Sequence, residues 1–422
     1  MDGAAGGSHI AGGAGRSGRR PWAGRRVLLG VTGGIAAYKA IQIARDLTEL
    51  GAEVDTVLTR AAREFVGPIS FEALTGREVH ADLWAPGHAL SHIRLARAAD
   101  VVCVAPATAD LVARVAHGRA DDLLAAILLA TRAPVLLCPA MNDRMWSHPQ
   151  TRRNVAHVQQ ELGYRLVGPA TGPLAFDEGE GPGRMEEPAT IVAHIGRALA
   201  QDSVLGGRRI VVTAGPTREP VDAVRVLTNR SSGRMGFALA AAAWRRGADV
   251  TLVAGPTSMA PPPGPQLVRV ETAAEMNDAV RTYLPGATAL LMCAAVADFR
   301  PAAVAAGKLK KANLPDVIAL EPTPDILLST RDARPSGCFA VGFALETDAP
   351  LENARQKLLH KSLDLIVLND ATEPGAGFDV ETNRVTFLDA SGAIESLPLL
   401  SKDDVAERIL DRVVRGVSGP ND

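Results

Sequence analysis

Two strand–turn–helix units recur in this chain with unequal spacing, and this asymmetry constrains the fold more than any other feature. The first unit runs from the strand that begins at Arg26 to the turn at Gly51, and the second runs from Arg209 to Gly247. These pairs lie 25 and 38 residues apart, and the 13 extra residues of the second unit fall between its strand and its helix. In an open α/β sheet that position is the crevice at the carboxyl ends of the strands, where ligands bind. The sequence therefore predicts an α/β protein with two Rossmann-like units, the second with an enlarged site loop.

Length, charge and cysteine content exclude several classes of protein. A chain of 422 residues is long enough for two or three domains, each with its own core. Its net charge of −2, with both signs interspersed, gives no electrostatic footprint for nucleic acid or a lipid surface. The four cysteines form no C-x-x-C pair, so neither a zinc site nor a redox dithiol is indicated. No apolar run approaches the ~20 residues that span a bilayer, and we expect a cytoplasmic protein without a membrane partner.

The sequence predicts two domains separated by a short linker. Residues 1–24 are rich in Gly, Ala, Ser and Arg and are expected to form a disordered tail. The first domain is expected to cover 25–200, the linker 201–207 and the second domain 208–416. Residues 168–188 are crowded with Gly and Pro, and a structureless stretch of this length is typical of a lid, a binding loop or a disordered segment.

The turn after the first strand is a candidate phosphate site. Gly33, Gly34 and Ile35 follow the strand and open a helix, whose first backbone N–H groups are able to hold a phosphate. Their spacing departs from G-x-G-x-x-G, and Thr59 stands where a dinucleotide site has an acidic residue to hold a ribose. A mononucleotide such as FMN is favoured, and the alternative is a plain tight turn.

Two other polar residues of the first domain lie next to buried strands. His92 precedes one strand and has apolar neighbours, which makes it a candidate for proton transfer. Asn142 follows another strand, at the sheet edge where ligands gather, and its amide is suited to bind a carboxylate. The alternatives are that His92 is a surface or satisfied core residue and that Asn142 caps the next short helix.

The enlarged loop of the second domain ends at residues 229–233, which read Asn-Arg-Ser-Ser-Gly. Ser231 or Ser232 is expected to cap the helix that follows, and the N-terminus of that helix is able to bind an anion. Arg218 and Arg225 lie earlier in the loop and suit a phosphorylated acid substrate.

Lysines cluster at two places in an otherwise arginine-dominated chain. One cluster covers 308–311, and Lys357 and Lys361 share a helix face at i, i+4 spacing. Asp298 and Asp325 are expected nearby in the sheet order. Together these residues predict a triphosphate–magnesium site, with a solvated charged face as the alternative.

Long motifs occur in one order along the chain from about Arg25 to Val414. In the first half they are Gly33-Gly34-Ile35-Ala36-Ala37-Tyr38-Lys39, His92, Ala105-Pro106-Ala107-Thr108-Ala109-Asp110, Pro139-Ala140-Met141-Asn142 and Gly181-Pro182-Gly183-Arg184-Met185. In the second half they are Thr213-Ala214-Gly215-Pro216-Thr217-Arg218-Glu219-Pro220, 229–236, Cys293-Ala294-Ala295-Val296-Ala297-Asp298, 308–311 and Pro324-Asp325-Ile326. On these motifs the chain resembles the bifunctional phosphopantothenoylcysteine decarboxylase / phosphopantothenate–cysteine ligase family of coenzyme A synthesis.

The resemblance implies two reactions on two Rossmann-like domains. The C-terminal, nucleotide-binding ligase domain is expected to activate the carboxylate of 4′-phosphopantothenate with CTP and Mg²⁺, giving an acyl-cytidylate that cysteine attacks. The N-terminal, flavodoxin-like domain is expected to bind FMN and to decarboxylate the product to 4′-phosphopantetheine. There FMN takes electrons from the substrate thiol and returns them.

The family's functional residues carry over to the matched positions. Those implied to be catalytic are His92 for proton transfer or positioning, Asn142 for the leaving carboxylate, Asn229 for the acyl intermediate and Lys308 for charge at the transferring phosphorus. Arg225 and Ala295 are implied to contact the acyl substrate together with Asn229. The implied FMN contacts are Gly33, Gly34, Ile35, Thr59, Ala107, Thr108 and Met141. The implied CTP contacts are Met292, Cys293, Ala294, Asp298, Lys308, Pro324, Asp325, Ile326, Leu327, Phe343, Lys357 and Lys361. No metal ligand is assigned.

The sequence departs from the family in the flap of the first domain. Relatives often carry a cysteine before Gly-Pro-Gly-Arg-Met that protonates the enethiolate product, whereas residues 174–180 here contain none. Our hypothesis is that Asp177, Glu178 or a bound water supplies the proton. Two alternatives stay open: a ligase whose decarboxylase half is impaired or lost, and a non-enzymatic flavin-binding regulator. A two-domain oxidoreductase is disfavoured because neither first strand is followed by G-x-G-x-x-G.

The family also implies an assembly of several copies of the chain. Its flavoprotein halves form trimers that are joined through ligase dimers. The FMN site then lies at a subunit interface, so that His92 serves the flavin of a neighbour.

Overall fold

Two α/β domains follow each other along the chain, each built on a central sheet. The computed structural model describes residues 20–84, 86, 90–175, 179–200, 203–310, 317–346, 350–370 and 382–418. Within these ranges, no helix combines the length and the apolar character that crossing a membrane requires.

The first domain contains a six-stranded, all-parallel sheet. Its strands are β1 (Arg26–Val31), β2 (Glu53–Leu58), β3 (Val79–His80), β4 (Val101–Ala107), β5 (Val135–Pro139) and β6 (Arg165–Leu166). They lie in the spatial order β3-β2-β1-β4-β5-β6, which is the order of a Rossmann sheet. The winding reverses between β1 and β4, so the ligand crevice is expected at the carboxyl ends of these two strands.

Helices cover both faces of this sheet, which is why its central strands are continuously apolar in sequence. The helices are α1 (Tyr38–Glu49), α2 (Pro68–Thr75), α3 (Ser91–Ala98), α4 (Ala109–Ala116), α5 (Leu123–Ala130), α6 (Asp143–Ser147), α7 (Pro149–Gln160) and α8 (Pro188–Leu199). One apolar core joins α1, α2 and α8 to the sheet, and a second core joins α3, α4, α5 and α7 to its other face.

The Gly- and Pro-rich segment at 168–188 contains a short hairpin. Its strands, β7 (Ala170–Pro173) and β8 (Glu180–Arg184), pair antiparallel. The prediction of a structureless stretch is therefore wrong for these strands, because an isolated two-stranded ribbon has two free edges on which Gly and Pro are tolerated. Asp177 and Glu178, the hypothetical proton donors, lie outside the described residues.

The second domain repeats the plan of the first. Its strands are β9 (Arg209–Ala214), β10 (Arg218–Pro220), β11 (Val226–Thr228), β12 (Asp249–Ala254), β13 (Gln266–Arg269), β14 (Ala289–Met292), β15 (Phe299–Pro301), β16 (Leu320–Pro322), β17 (Phe339–Glu346), β18 (Leu365–Asp370), β19 (Thr382–Asn383), β20 (Val385–Asp389), β21 (Ile394–Ser396) and β22 (Leu400–Ser401). The main sheet has the order β13-β12-β9-β14-β17-β18-β20-β21, parallel as far as β18 and antiparallel beyond it. The α/β prediction is confirmed for both domains.

The helices and the small ribbons of the second domain surround this sheet. The helices are α9 (Arg234–Arg245), α10 (Ala273–Tyr283), α11 (Ile326–Ser329), α12 (Pro350–His360) and α13 (Lys402–Val417). The extra residues between β9 and α9 form the hairpin β10–β11, which accounts for the enlarged loop seen in the sequence.

The domains meet through α8 and α9. Trp22 is only 8% exposed, and its indole lies so close to Gly196 of α8 that a Cβ there would be 2.6 Å from the ring. Residues 20–24 therefore belong to the first domain and not to a disordered tail, because the buried indole fixes them. Arg197 of α8 donates to the backbone oxygen of Trp244 in α9 at 3.0 Å, and its guanidinium lies 5.0 Å from the centre of that indole ring.

Candidate functional sites

The carboxyl ends of β1, β2, β4 and β5 meet at one edge of the first domain, and most of the predicted FMN contacts lie there. Thr32, directly after β1, joins two of these ends. Its hydroxyl donates to Pro106 O at 2.8 Å and accepts from Thr108 N at 3.2 Å. Val31 O accepts from Thr59 N at 3.0 Å, which places the end of β2 beside the same turn.

The turn at residues 33–35 has the shape that a phosphate cradle requires. A Cβ on Gly33 would lie 2.4 Å from the Cβ of Ala61, so only glycine fits this approach to the segment after β2. Gly34 has nothing closer than 3.8 Å to its Cβ position, which leaves the turn open on that side. Ile35 is 71% exposed, so its side chain and the helix start are accessible to a ligand or a neighbouring molecule.

Three predicted polar contacts of the first domain also have ordinary structural roles. The Thr59 hydroxyl accepts from Ala62 N at 3.2 Å, and the Thr108 hydroxyl caps α4. Asn142 caps α6, because its Oδ1 accepts from Arg144 N at 2.9 Å. The capping alternative for Asn142 is therefore observed, and a ligand role would have to use the amide nitrogen.

The hairpin β7–β8 is fixed against the exit of β5, where Met141 and Asn142 lie. Met141 N donates to Gly183 O at 2.9 Å. A Cβ on Gly183, whose φ is +145°, would lie 2.2 Å from Met141 O. The buried Lys39 of α1 holds the base of the hairpin, since its Nζ contacts Met185 O at 3.2 Å and Glu187 Oε1 at 3.0 Å.

His92 lies on a helix that packs against the other face of the sheet from α1. It lies in the first turn of α3, which packs in the apolar core with α5, whereas the turn at 33–35 leads into α1 on the other face of the sheet. Its Nδ1 is buried and has no hydrogen-bond partner among the described residues. The structure therefore places His92 on the opposite face of the sheet from α1, the helix that the turn at 33–35 opens.

The second domain contains a cavity of about 580 Å³ at the carboxyl ends of β14, β17 and β18. Every predicted CTP contact except Lys308 lines it, as do Asn229 and Ala295. The lining residues with those roles are Asn229, Met292, Cys293, Ala294, Ala295, Asp298, Pro324, Asp325, Ile326, Leu327, Phe343, Lys357 and Lys361.

Three hydrogen bonds shape the cavity wall. The Thr213 hydroxyl, fully buried at the end of β9, accepts from Cys293 N and Ala294 N at 3.1 Å each. The amide of Asn229 donates to Val296 O at 2.9 Å. These bonds fix the backbone that leaves β14, so its peptide groups face the cavity in one conformation.

The helix that begins at the cavity is not capped by a serine. The N-cap of α9 is Gly233, which has φ +78° and no side chain to offer. The prediction of a Ser231 or Ser232 cap is wrong, because the left-handed turn at Gly233 carries both serines past the capping position. Ser231, Ser232 and Gly233 nevertheless line the cavity, so the start of α9 faces it.

Charges of both signs line the cavity, and an ion pair forms part of its wall. Lys361 Nζ lies 2.8 Å from Asp325 Oδ2. Partial burial acts to raise the pKa of Asp325, but the Lys361 ammonium and the N–H of Leu328 lower it overall. Among the residues that the structure describes, no group of three or more His, Cys, Asp or Glu side chains is placed to hold a metal ion.

Lys308 and Arg225 form a separate unit outside the cavity wall. Asp222, whose side chain is buried, accepts from Leu309 N at 3.1 Å and from Arg225 N at 2.8 Å. The backbone N–H of Val224 lowers the pKa of Asp222, and these two N–H groups and the Arg225 guanidinium lower it further. Arg218, predicted as a second anion contact, instead lies 3.9 Å from Glu271 and does not line the cavity.

Sequence reasoning missed several polar residues of the cavity, namely Arg230, Arg234, Asn369, Asn383 and Lys402. Asn369 ends a predicted strand and could have been found by the rule that ligands gather at strand ends. Asn383 and Lys402 carry no such signal, because they follow the sixth parallel strand and reach the site through β19 and α13.

Comparisons with known proteins match both domains. The family model "DNA/pantothenate metabolism flavoprotein C-terminal domain" matches residues 205–417, and the model "Flavoprotein" matches residues 16–200. The coenzyme A biosynthesis bifunctional protein CoaBC of Vibrio cholerae is 45% identical over 392 residues, which is 92% of this chain and 97% of that protein. Its counterpart in Mycobacterium tuberculosis is 45% identical over 410 residues, 94% of this chain and 97% of that protein. A crystal structure of the C-terminal domain of a CoaBC protein has 39% identity and a TM-score of 0.44, and covers 50% of this chain and 97% of that chain.

Proposed function

The chain belongs to the family of the coenzyme A biosynthesis bifunctional proteins, and on that premise we propose that it converts 4′-phosphopantothenate and cysteine into 4′-phosphopantetheine. The second domain is the CTP-dependent ligase and the first is the FMN-dependent decarboxylase. The single observation that carries the proposal is the match of both halves, in one chain, to relatives at 45% identity over more than nine-tenths of its length.

In the ligase domain, the cavity supports binding of CTP across the carboxyl ends of the strands. Its wall combines the start of α9 with lysines 357 and 361, which suit a polyphosphate. The described carboxylates form no cage for a metal, so Mg²⁺ would enter with the nucleotide, held mainly by phosphate oxygens. Asn229 and the Ala295 backbone stand where the acyl group would meet the α-phosphate.

We assign Lys308 to stabilisation of charge on the transferring phosphorus. Its support is the anchoring of the neighbouring Leu309 and of Arg225 by one buried carboxylate, that of Asp222. Lys308, predicted for the transferring phosphorus and CTP, and Arg225, predicted for the acyl substrate, are thereby held in one structural unit. In this proposal, the unit moves to the mouth of the cavity when substrate binds.

In the first domain, the turn at 33–35 fits the phosphate of FMN, because Gly33 permits the close approach and the helix start offers N–H donors. FMN when bound supplies reversible two-electron oxidation of the substrate thiol. The chain's own contribution is to hold the substrate: the Asn142 amide binds the carboxylate that leaves as CO₂. The hairpin β7–β8, fixed at Met141, covers the reacting carbon and excludes water.

His92 is assigned to the flavin site of a second copy of the chain. Two observations support this assignment. The helix of His92, α3, packs on the opposite face of the sheet from α1, which follows the turn at 33–35, and the buried Nδ1 of His92 lacks a partner among the described residues. The side chains of Ile35 and Leu90, at the two surfaces that would meet, are 71% and 70% exposed. Joining two different faces is a head-to-tail contact, which closes into a ring such as a trimer.

The assignment is tested by a mass-spectrometric time course with purified protein, 4′-phosphopantothenate, cysteine, CTP and Mg²⁺. We expect 4′-phosphopantothenoylcysteine to rise and then to be consumed as 4′-phosphopantetheine appears, with flavin absorbance at about 450 nm in the starting protein. Accumulation of the first product alone would leave a ligase with an impaired decarboxylase. Bound flavin without either product would favour the non-enzymatic regulator, and the proposal would be wrong.

The site at the subunit contact has its own experiment. A His92→Asn variant and a Gly33→Val variant are each expected to lose decarboxylation, the second through loss of flavin. Mixed after dissociation and reassembly, they should regain part of the activity, because some sites combine a native His92 with a native turn. Mixtures that stay inactive would contradict the shared site.

A further inference from the structure

Two polar residues form the floor of the ligase cavity at the edge beyond β18. Asn383 is 4% exposed and Lys402 is 7% exposed, and both line the cavity. Asn383 pairs with Leu400 through the ribbon β19–β22, which leads directly into α13 and Lys402. Their position therefore depends on elements that follow the six parallel strands.

The amide oxygen of Asn383 is an acceptor that the described part of the chain leaves without a donor. Its Oδ1 is buried and has no hydrogen-bond partner among the described residues, and the same holds for Oδ1 of Asn369 at the end of β18. A buried acceptor without a donor costs about as much as a lost hydrogen bond, so such groups are normally satisfied. Two of them in the wall of one cavity indicate a ligand that brings hydrogen-bond donors to this floor.

Lys402 gives the same floor a positive charge. Burial raises the pKa of the Cys293 thiol to about 12, while the nearby Lys402 ammonium acts in the opposite direction. Cys293 directly follows β14 and lines the cavity, and the start of α9 lies in the same wall. A helix start and a buried ammonium on one side of a cavity favour an anion there.

A nucleoside triphosphate brings both kinds of group. Its phosphates carry charge but no donors at neutral pH, its ribose carries two hydroxyl donors, and the amino group of cytosine is the remaining donor. The ribose hydroxyls lie next to the phosphates, whereas the amino group lies at the far end of the base. An acceptor beside a buried ammonium is therefore matched to the ribose.

We propose that Asn383 and Lys402 are nucleotide-specificity residues, in which Asn383 Oδ1 accepts a hydrogen bond from a ribose hydroxyl of CTP and Lys402 binds its phosphates. The inference rests on the proposed function, since it takes CTP as the ligand. It assigns the strands and helix after β18 a direct part in recognising the nucleotide.

The test measures dissociation constants of the full-length protein for CTP, 2′-deoxyCTP and 3′-deoxyCTP by calorimetry. The native protein should bind at least one deoxy analogue about ten-fold more weakly than CTP, as expected for one hydrogen bond to a buried acceptor. Asn383→Ala should weaken CTP binding by a similar factor and bind CTP and the deoxy analogue equally. Asn277→Ala, in α10 of the same domain and outside the cavity, is the matched control and should keep the native preference.

The variant Lys402→Gln tests whether the charge of Lys402 binds phosphates or only supports the fold, through a comparison of CMP binding with CTP binding. The ratio of CMP to CTP dissociation constants should fall by about ten-fold, because CMP lacks the two phosphates that the ammonium would bind. Equal weakening of CMP and CTP would show a structural role and overturn the assignment of Lys402.

The deoxy analogues keep the inference falsifiable if a variant fails to fold. Native protein that binds CTP and both deoxy analogues alike refutes the role of Asn383 and leaves the ligase function standing. Native protein that binds no CTP refutes the proposed function and this inference together.

Discussion

Gly183 is the point at which the flap hairpin contacts the exit of β5, and Gly183→Ala is expected to slow decarboxylation strongly without affecting the ligase. The φ of Gly183 is +145°, and an added Cβ would lie 2.2 Å from Met141 O, where ordinary contact begins at 3.4 Å. The backbones must therefore separate by more than 1 Å. That movement breaks the hydrogen bond from Met141 N to Gly183 O, now 2.9 Å long.

The magnitude follows from these distances. A side chain in this backbone region costs about 1–3 kcal/mol, and the lost hydrogen bond adds about 1 kcal/mol. Both costs fall on a two-stranded ribbon at the surface, so the domain core is not expected to unfold. Displacement of a positioning element by about 1 Å lowers turnover by about 100-fold. We therefore expect about that loss in decarboxylation, with ligation at the native rate.

The assay follows both products by mass spectrometry in one reaction, so the ligase serves as an internal measure of folding. 4′-Phosphopantothenoylcysteine should accumulate in the variant. Gly179→Ala is the matched control in the same hairpin: its φ is +73°, but its Cβ would meet none of the described residues within 4 Å. It should carry the backbone strain without the displacement and keep most of its activity. Native decarboxylation by Gly183→Ala, or equal loss in Gly179→Ala, would refute the argument from close approach.

Three further predictions concern other contacts of the two domains. Lys39→Met should raise KM for decarboxylation while flavin is retained. Lys39 lowers the pKa of Glu187, so the native ion pair stabilises the protein above pH 4.5, and this stabilisation is lost as the pH falls through the lowered pKa of Glu187. A pH series of unfolding curves checks this second effect. Asp222→Asn should lower ligase kcat by about ten-fold, because it releases the segment that holds Lys308. The CTP affinity measured by calorimetry should stay unchanged, because neither Asp222 nor Lys308 lines the cavity. Arg197→Met should reduce the free energy of unfolding by about 2–3 kcal/mol, since a charged donor across the domain junction is lost, and should leave both activities intact in steady-state assays.

The candidate sites divide into residues that local sequence reveals and residues that only the fold brings together. The turn at 33–35, the end of β14 and the lysines of α12 follow strands or share a helix face, so their place at the sheet edge could be predicted. The separation of Lys308 from the cavity could not, because it depends on the buried carboxylate of Asp222, 86 positions earlier in the chain. The position of His92 relative to the flavin turn likewise depends on which face of the sheet α3 covers.

The sequence by itself determined the two α/β domains and the motifs at the strand ends. These features depend on short-range regularities: apolar runs, helical periodicity, and glycines where a turn or a close approach excludes a side chain. Tertiary structure alone decided that Trp22 belongs to the first domain, that the Gly- and Pro-rich segment pairs as a hairpin, and that Asn383 and Lys402 complete the cavity floor. The physical reason is that the contacts that fix these elements, such as Trp22 with Gly196 and Met141 with Gly183, join residues far apart in the chain. Their free energy comes from burial and hydrogen bonds that exist only after the sheets have assembled.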